Sequence, residues 1–180
     1  HNYDALKSTW GATVVHDIAT AVDTGKKTVT TGGGRTFGYD KLVLSPGIDF
    51  RWDAVPGYGP DVAGKIPHAW HGGEQTVALR KQLEAMPDGG VFVIAPPTNP
   101  FRCPPGPYER VSMVAHYFKT TKPKSKIIIL DPKPKFSKMP LFLEGWKALY
   151  GGMIEWVGAG DGGATKRVDA ANMTLHTEID

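Results

Sequence analysis

The sequence predicts an α/β fold in which a parallel sheet stands beside an antiparallel β meander. Two fully apolar runs, "VFVIA" (91–95) and "KIIIL" (126–130), flank a helix-period stretch, "YERVSMVAHYFKT" (108–120), with Val111, Val114 and Phe118 on one face. Strand, crossover helix and strand at that separation make a βαβ unit, and apolar runs without alternation indicate parallel strands covered on both faces. Upstream, short β-type runs separated by turn residues predict the meander.

Taken in order, residues 1–10 read as the end of a helix. The runs "ATVV" (12–15), "KTVTT" (27–31), "RTFGYD" (35–40) and "KLVLS" (41–45) read as strands. The glycine-rich "TGGGR" (31–35) joins two strands rather than a strand and a helix, so it predicts a hairpin turn and not a phosphate cradle. From Gly47 to Gly73 the prolines, glycines and aromatics allow little regular structure, which divides the chain into a first domain over 1–50, a crossover linker over 51–73 and a second domain over 74–180. His68 and His71 are three apart, a spacing metal sites use, but no third ligand stands nearby and satisfied loop histidines are expected. "EQTVALRKQLEAM" (74–86) has Leu79, Leu83 and Met86 on one helical face, and the turn from Pro87 to Gly90 stops it. A helix over 141–150 and strands at 153–157, 165–169 and 173–178 complete the chain, the strands reading as a second meander.

The 180 residues are 41% hydrophobic, enough for a true core, and 21 basic against 18 acidic side chains give a net charge of +3. Lys122, Lys124, Lys126, Lys133, Lys135 and Lys138 form a modest cluster that reads as a solvated rim rather than a nucleic-acid surface. No run of eighteen apolar residues is present to span a membrane. The chain opens at His1 without an apolar leader and ends at Asp180 while still strand-like, which reads as a piece of a longer protein. A single cysteine permits no internal disulfide.

In open α/β sheets ligands gather outside the carboxyl ends of the parallel strands, so the loop after Ala95 is the place to look for chemistry. A dinucleotide site there would use G-x-G-x-x-G, whose backbone N–H groups approach a pyrophosphate. Pro96, Pro97 and Pro100 instead remove donors and put rings where a phosphate would sit, which disfavours NAD(H). Asp131, after the second strand, then reads as a turn residue before Pro132. What remains is Cys103, just before a helix whose first residues can include Pro107. The positive end of that helix and the adjacent Arg102 favour a thiolate, and Pro100, Pro104, Pro105 and Pro107 restrict the loop. Glu109, in the first helical turn, suits the helix dipole in any case and is a candidate proton acceptor beside Cys103.

"PFRCPPGPYER" (100–110), then "HY" (116–117) and "SKIIILD" (125–131), with "YDKLVLSPG" (39–47) upstream and "GWKALYG" (145–151) and "MIEW" (153–156) downstream, strongly resemble the flavoprotein subunit of flavocytochrome c sulfide dehydrogenase. The resemblance implies a Rossmann-like FAD/NAD(P)-binding fold of the disulfide-reductase type, with 1–50 a remnant of the FAD-binding domain and 74–180 an NAD-binding-like, substrate-side domain truncated at its C-terminus. It implies FAD as cofactor, oxidation of sulfide to sulfur or polysulfide in the periplasm, and electron transfer to a c-type cytochrome subunit. Cys103 matches the motif cysteine that, in the family, pairs with a later cysteine in a redox-active disulfide beside the flavin, and Glu109 matches the motif glutamate near it. Ser45, Pro46 and Gly47 match a turn that passes close to FAD, and Ile18 and Ala19 match a position whose backbone lies against adenine.

The first G-x-G-x-x-G unit and the second disulfide cysteine are not among these residues, so the 180 residues alone are expected to hold no tightly bound FAD and to be inactive. A sulfide:quinone oxidoreductase shares the architecture and is the nearest alternative, while a non-catalytic docking module with a structural Cys103 is the alternative of another class. Because the prolines after Ala95 block a phosphate cradle, titration with NADH should leave its fluorescence unchanged, and saturable micromolar binding would contradict that reading of the loop.

Overall fold

The structure is a computed structural model and describes residues 3–179. It divides into two compact units, one up to Asp49 and one from Phe50 onward.

In the first unit α1 (Asp4–Trp10) ends on Gly11, whose left-handed φ of 65° lets its N–H reach the Lys7 carbonyl at 3.1 Å. An antiparallel meander follows, β1 (Ala19–Asp23), β2 (Thr28–Thr31) and β3 (Thr36–Gly38), in that spatial order. The Asp23 carboxylate accepts from the N–H groups of Gly25 at 3.0 Å and Lys26 at 2.8 Å, and this Asx turn sets residues 19–23 opposite 28–31. The strand expected at 12–15 is therefore absent and its place in the ladder is taken by β1. "TGGGR" is a hairpin turn as expected, with Thr31 N–H donating to the Arg35 carbonyl at 2.9 Å. The strand expected at 41–45 does not form either. Among the described residues no strand pairs with it, and Val43 and Leu44 are exposed.

The second unit contains a three-stranded parallel sheet, β4 (Val91–Ile94), β5 (Lys126–Leu130) and β6 (Ile154–Val157), with β5 in the centre. Its helices are α2 (Glu74–Ala85), α3 (Gly106–Thr121) and α4 (Met139–Tyr150). Helices α3 and α4 are crossovers long enough to return the chain in the same direction, so β6 joins the parallel sheet instead of opening the second meander that the sequence suggested. Only the last two expected strands pair antiparallel, as the hairpin β7 (Arg167–Asp169) and β8 (Thr174–His176). The Val168 N–H of this hairpin donates to the Pro56 carbonyl at 2.8 Å, and segment 51–73, read as a linker, belongs to this unit.

One face of the sheet carries the core. Phe92, Ile127, Ile129 and Ile154 meet Val111, Val114, Ala115 and Phe118 of α3 and Trp146 of α4. The central strand is the most covered, with Ile127 and Ile129 at 0% exposure. Edge strand β4 corrects the expectation of burial on both faces, since Val91 is 51% and Val93 is 40% exposed. The lysine rim also needs correction, because Lys122 and Lys133 are buried. Lys122 donates to the carbonyls of Glu84 and Met86, neutralising the C-terminal end of α2.

Candidate functional site

Strand β4 delivers the chain to Pro96, and the loop that follows reaches the first turn of α3 at Gly106. Pro105 caps that helix with φ −79° and ψ −15°, and its carbonyl accepts from Tyr108 and Glu109 N–H, each at 3.0 Å. The Cys103 carbonyl accepts from Gly106 N–H at 2.8 Å, so the cysteine is one closed turn ahead of the helix. Cys103 is exposed and holds a left-handed φ of 55°, a conformation that costs a side-chain-bearing residue about 1–2 kcal/mol. Its sulfur lies against the start of α3. A Cβ on Gly106 would stand only 3.2 Å from the Cys103 Sγ, so the glycine of the C-P-P-G-P motif permits the sulfur's close approach.

The loop is fastened by a buried carboxylate. Asp131, at 0% exposure beyond the end of β5, accepts from the Tyr108 hydroxyl at 2.6 Å and from Trp156 Nε1–H at 3.0 Å. It also accepts from the Lys133 backbone N–H at 3.1 Å and pairs with the Lys133 ammonium at 2.6 Å. The expected turn before Pro132 is thus only one of its contacts. Tyr108 stacks on Phe136 with centroids 3.8 Å apart and planes 16° apart. Burial, and then the hydrogen bond to Asp131 and its charge, push the Tyr108 phenol far above its ordinary range, which keeps it a donor.

Cys103 and Glu109 line one groove of about 640 Å³ between α2 and α3, together with Trp70, Leu83, Met113 and Tyr117. Arg110 holds the groove's rim by donating to the carbonyls of His68 at 2.9 Å and Ala69 at 2.6 Å, with its guanidinium 5.9 Å from the Trp70 ring centroid. An apolar groove with a thiol and a carboxylate suits a small, polarisable substrate that exchanges protons.

The family described as the central part of the sulfide dehydrogenase (flavocytochrome c) flavoprotein chain matches residues 76–180, more than half of the sequence. The chain belongs to this sulfide dehydrogenase flavoprotein family. Among solved structures, the sulfide:quinone oxidoreductase of Aquifex aeolicus is 21% identical with a TM-score of 0.47, over 91% of this chain and 39% of that one. A chain of the Tetrahymena thermophila mitochondrial ATP synthase is 14% identical with a TM-score of 0.43, over 91% and 44%. Both are distant likenesses to chains more than twice as long.

As a member of a flavoprotein family, the chain is expected to contribute to an FAD site. In the first unit Gly47 has a φ of 81°, and a Cβ built there would meet nothing within 4 Å, so the Ser45–Pro46–Gly47 turn leaves room for a ring system to approach the main chain. At Ile18 the N–H is bonded to the Asp17 carboxylate at 2.8 Å and the carbonyl accepts from Gly32 at 2.8 Å. Any adenine contact at Ile18 and Ala19 would therefore be one of van der Waals packing or of a second bond to the carbonyl. The main chain at Gly47 is thus open to a flat ring, and Ile18 is exposed.

The sulfide dehydrogenase motif carries more structure than its cysteine suggests. Tyr108, Asp131 and Lys133 carry no catalytic signature in the sequence, although Tyr108 shares the buried face of α3 with Val111 and Ala115. His68 is satisfied, as expected: its Nδ1 accepts from Trp70 N–H at 3.0 Å, while His71 contributes ring contacts, 5.6 Å from His68 and 4.9 Å from Phe50. Among the described residues no group of three or more His, Cys, Asp or Glu could hold a metal. Burial, then His71 and Arg110, lower the His68 pKa from its ordinary 6.5. The unfolded chain therefore takes up that proton first, so the stabilisation is complete above about pH 6.5 and is lost as pH falls through the lowered folded value. The thermal midpoint should drop more between about pH 7.5 and 5 in the native protein than in His68→Asn, which keeps an acceptor for Trp70 but cannot titrate; parallel profiles would refute this.

Proposed function

We propose that this chain is the substrate-side portion of a periplasmic flavoprotein that oxidises sulfide to sulfur or polysulfide and delivers the electrons to a c-type cytochrome subunit. On this reading the mixed α/β architecture is of the Rossmann-like disulfide-reductase type, with the first unit part of an FAD-binding domain. The observation that carries the proposal is an exposed Cys103, held in a left-handed conformation between prolines at the carboxyl end of a parallel strand, in a chain of this family. Backbone strain at an exposed, reactive residue is common at catalytic positions.

Cys103 would form a disulfide with a second cysteine of the intact protein. Hydrosulfide attacks one sulfur of that pair, a new S–S bond forms as the old one breaks, and a persulfide and a thiolate result. Glu109, in the same groove, accepts the proton that leaves the bound sulfur. Ser45, Pro46, Gly47, Ile18 and Ala19 would hold FAD, which supplies two-electron acceptance and one-electron release toward haem. Trp70, Leu83 and Met113 give the groove apolar walls. Among the described residues no helix is long and apolar enough to cross a membrane.

In the intact flavoprotein with its cytochrome partner, Cys103→Ser should abolish sulfide-dependent cytochrome reduction, a loss of at least about 10³-fold, as expected when a nucleophile is removed. Activity within tenfold of the native protein would sink the assignment.

A further inference from the structure

Lys133 stands outside the groove and carries no part of the mechanism above, yet its ammonium makes three separate contacts around the loop that bears Cys103. It pairs with Asp131 Oδ1 at 2.6 Å, donates to the Pro97 carbonyl at 2.9 Å, and lies 5.2 Å from the centroid of the Phe101 ring. Its side chain is only 7% exposed, and that of Asp131 is fully covered. A lysine brought this far out of water needs a carboxylate partner, and this one spends its remaining donors on the loop rather than on solvent.

Pro97 and Phe101 precede Cys103 by six and two residues, whereas Tyr108, held by the other oxygen of Asp131, follows it by five. One buried ion pair therefore grips the cysteine loop on both sides. The loop has few other means of support. Five prolines from Pro96 to Pro105 have no N–H to donate, and the backbone bond from Gly106 to Cys103 is local. Prolines narrow the choice of conformations for such a segment but do not attach it to the sheet. Attachment comes from the lysine, helped among the described residues only by the edge-on contact of Phe101 with Trp70, their centroids 6.3 Å apart.

We propose that Lys133 is a positioning residue for Cys103: through Pro97, Phe101 and Asp131 it sets where the sulfur stands, and so sets the turnover of the sulfide reaction without touching sulfide. The proposal rests on the sulfide reading of Cys103. It also separates Lys133 from a merely structural lysine such as Lys122, whose ammonium serves the end of α2 and has no contact with the cysteine loop.

Lys133→Met alone would leave Asp131 buried without its cation and could simply unfold the unit, so the informative variant is Asp131→Asn/Lys133→Met. That pair removes both charges and keeps an amide oxygen for the Tyr108 hydroxyl. Lys133→Arg is the conservative control, since a guanidinium can pair with the carboxylate, donate to a carbonyl and lie over an aromatic ring. In the intact flavoprotein with its cytochrome, the double variant should lower kcat for sulfide about tenfold or more with KM for sulfide within twofold, because misplacing a reacting group by a fraction of an ångström costs rate rather than binding. Lys133→Arg should recover most of the rate. Tryptic cleavage at the exposed Arg102–Cys103 bond, followed by mass spectrometry on the same folded proteins, should be several times faster in the double variant and near native in Lys133→Arg. Unchanged kcat in the double variant, or unchanged cleavage at Arg102, would overturn the proposal. The sulfide reading fails on a different result, retained activity in Cys103→Ser, so the two are told apart.

Discussion

The buried carboxylate of Asp131 is the constraint on which the candidate site depends. It is fully removed from solvent, and an isolated charge there would be unsustainable without compensating donors. Four are supplied, from Tyr108, Trp156 and both the backbone and the ammonium of Lys133. These donors come from the first turn of α3, from β6 and from the chain just beyond β5. One side chain therefore ties the carboxyl end of the parallel sheet to the start of the helix that carries the motif. Removing a single partner from such a pair typically costs about 3–5 kcal/mol, comparable with a sizeable part of a domain's net stability.

Packing reinforces the same junction. Phe136 stacks on Tyr108 and stands 5.9 Å from Trp146, whose Nε1–H donates to Ser112 at 2.8 Å; Ser112 in turn donates to the Tyr108 carbonyl at 2.9 Å. The aromatic layer and the polar fastening thus converge on one tyrosine of the C-P-P-G-P-Y-E motif. The glycine of that motif admits the sulfur against the helix, and the prolines limit the loop's conformations. The cysteine is left exposed in a strained conformation that the surrounding contacts enforce.

The parallel core and the site's location were legible in the sequence because both have strong local signatures. Apolar runs at 91–95 and 126–130 around a helix-period segment leave little choice, and a loop after a parallel strand is a functional position by topology. The meander was harder. "ATVV" and "KLVLS" have good strand composition but, among the described residues, pair with no strand, while β1 is an unremarkable run made a strand by the Asx turn at Asp23. The exposure of Val91 and Val93 was hidden for a similar reason, since composition does not say which strand lies at an edge. In the sequence Asp131 reads as a turn residue and Lys133 as part of a solvated rim. Their pairing depends on the approach of Tyr108 and Pro97 from segments more than twenty residues away, and no local pattern encodes that.

The central claim is that Tyr108 and Asp131 act as one unit holding the cysteine-bearing helix start to the sheet. A double-mutant cycle with Tyr108→Phe and Asp131→Asn in the intact protein, read from hydrogen-exchange free energies at the β5 amides of Ile127 and Ile129, tests it most directly. A buried, charge-assisted hydrogen bond predicts a coupling of about 1.5–3 kcal/mol. Additive effects, with a coupling indistinguishable from zero, would contradict the account.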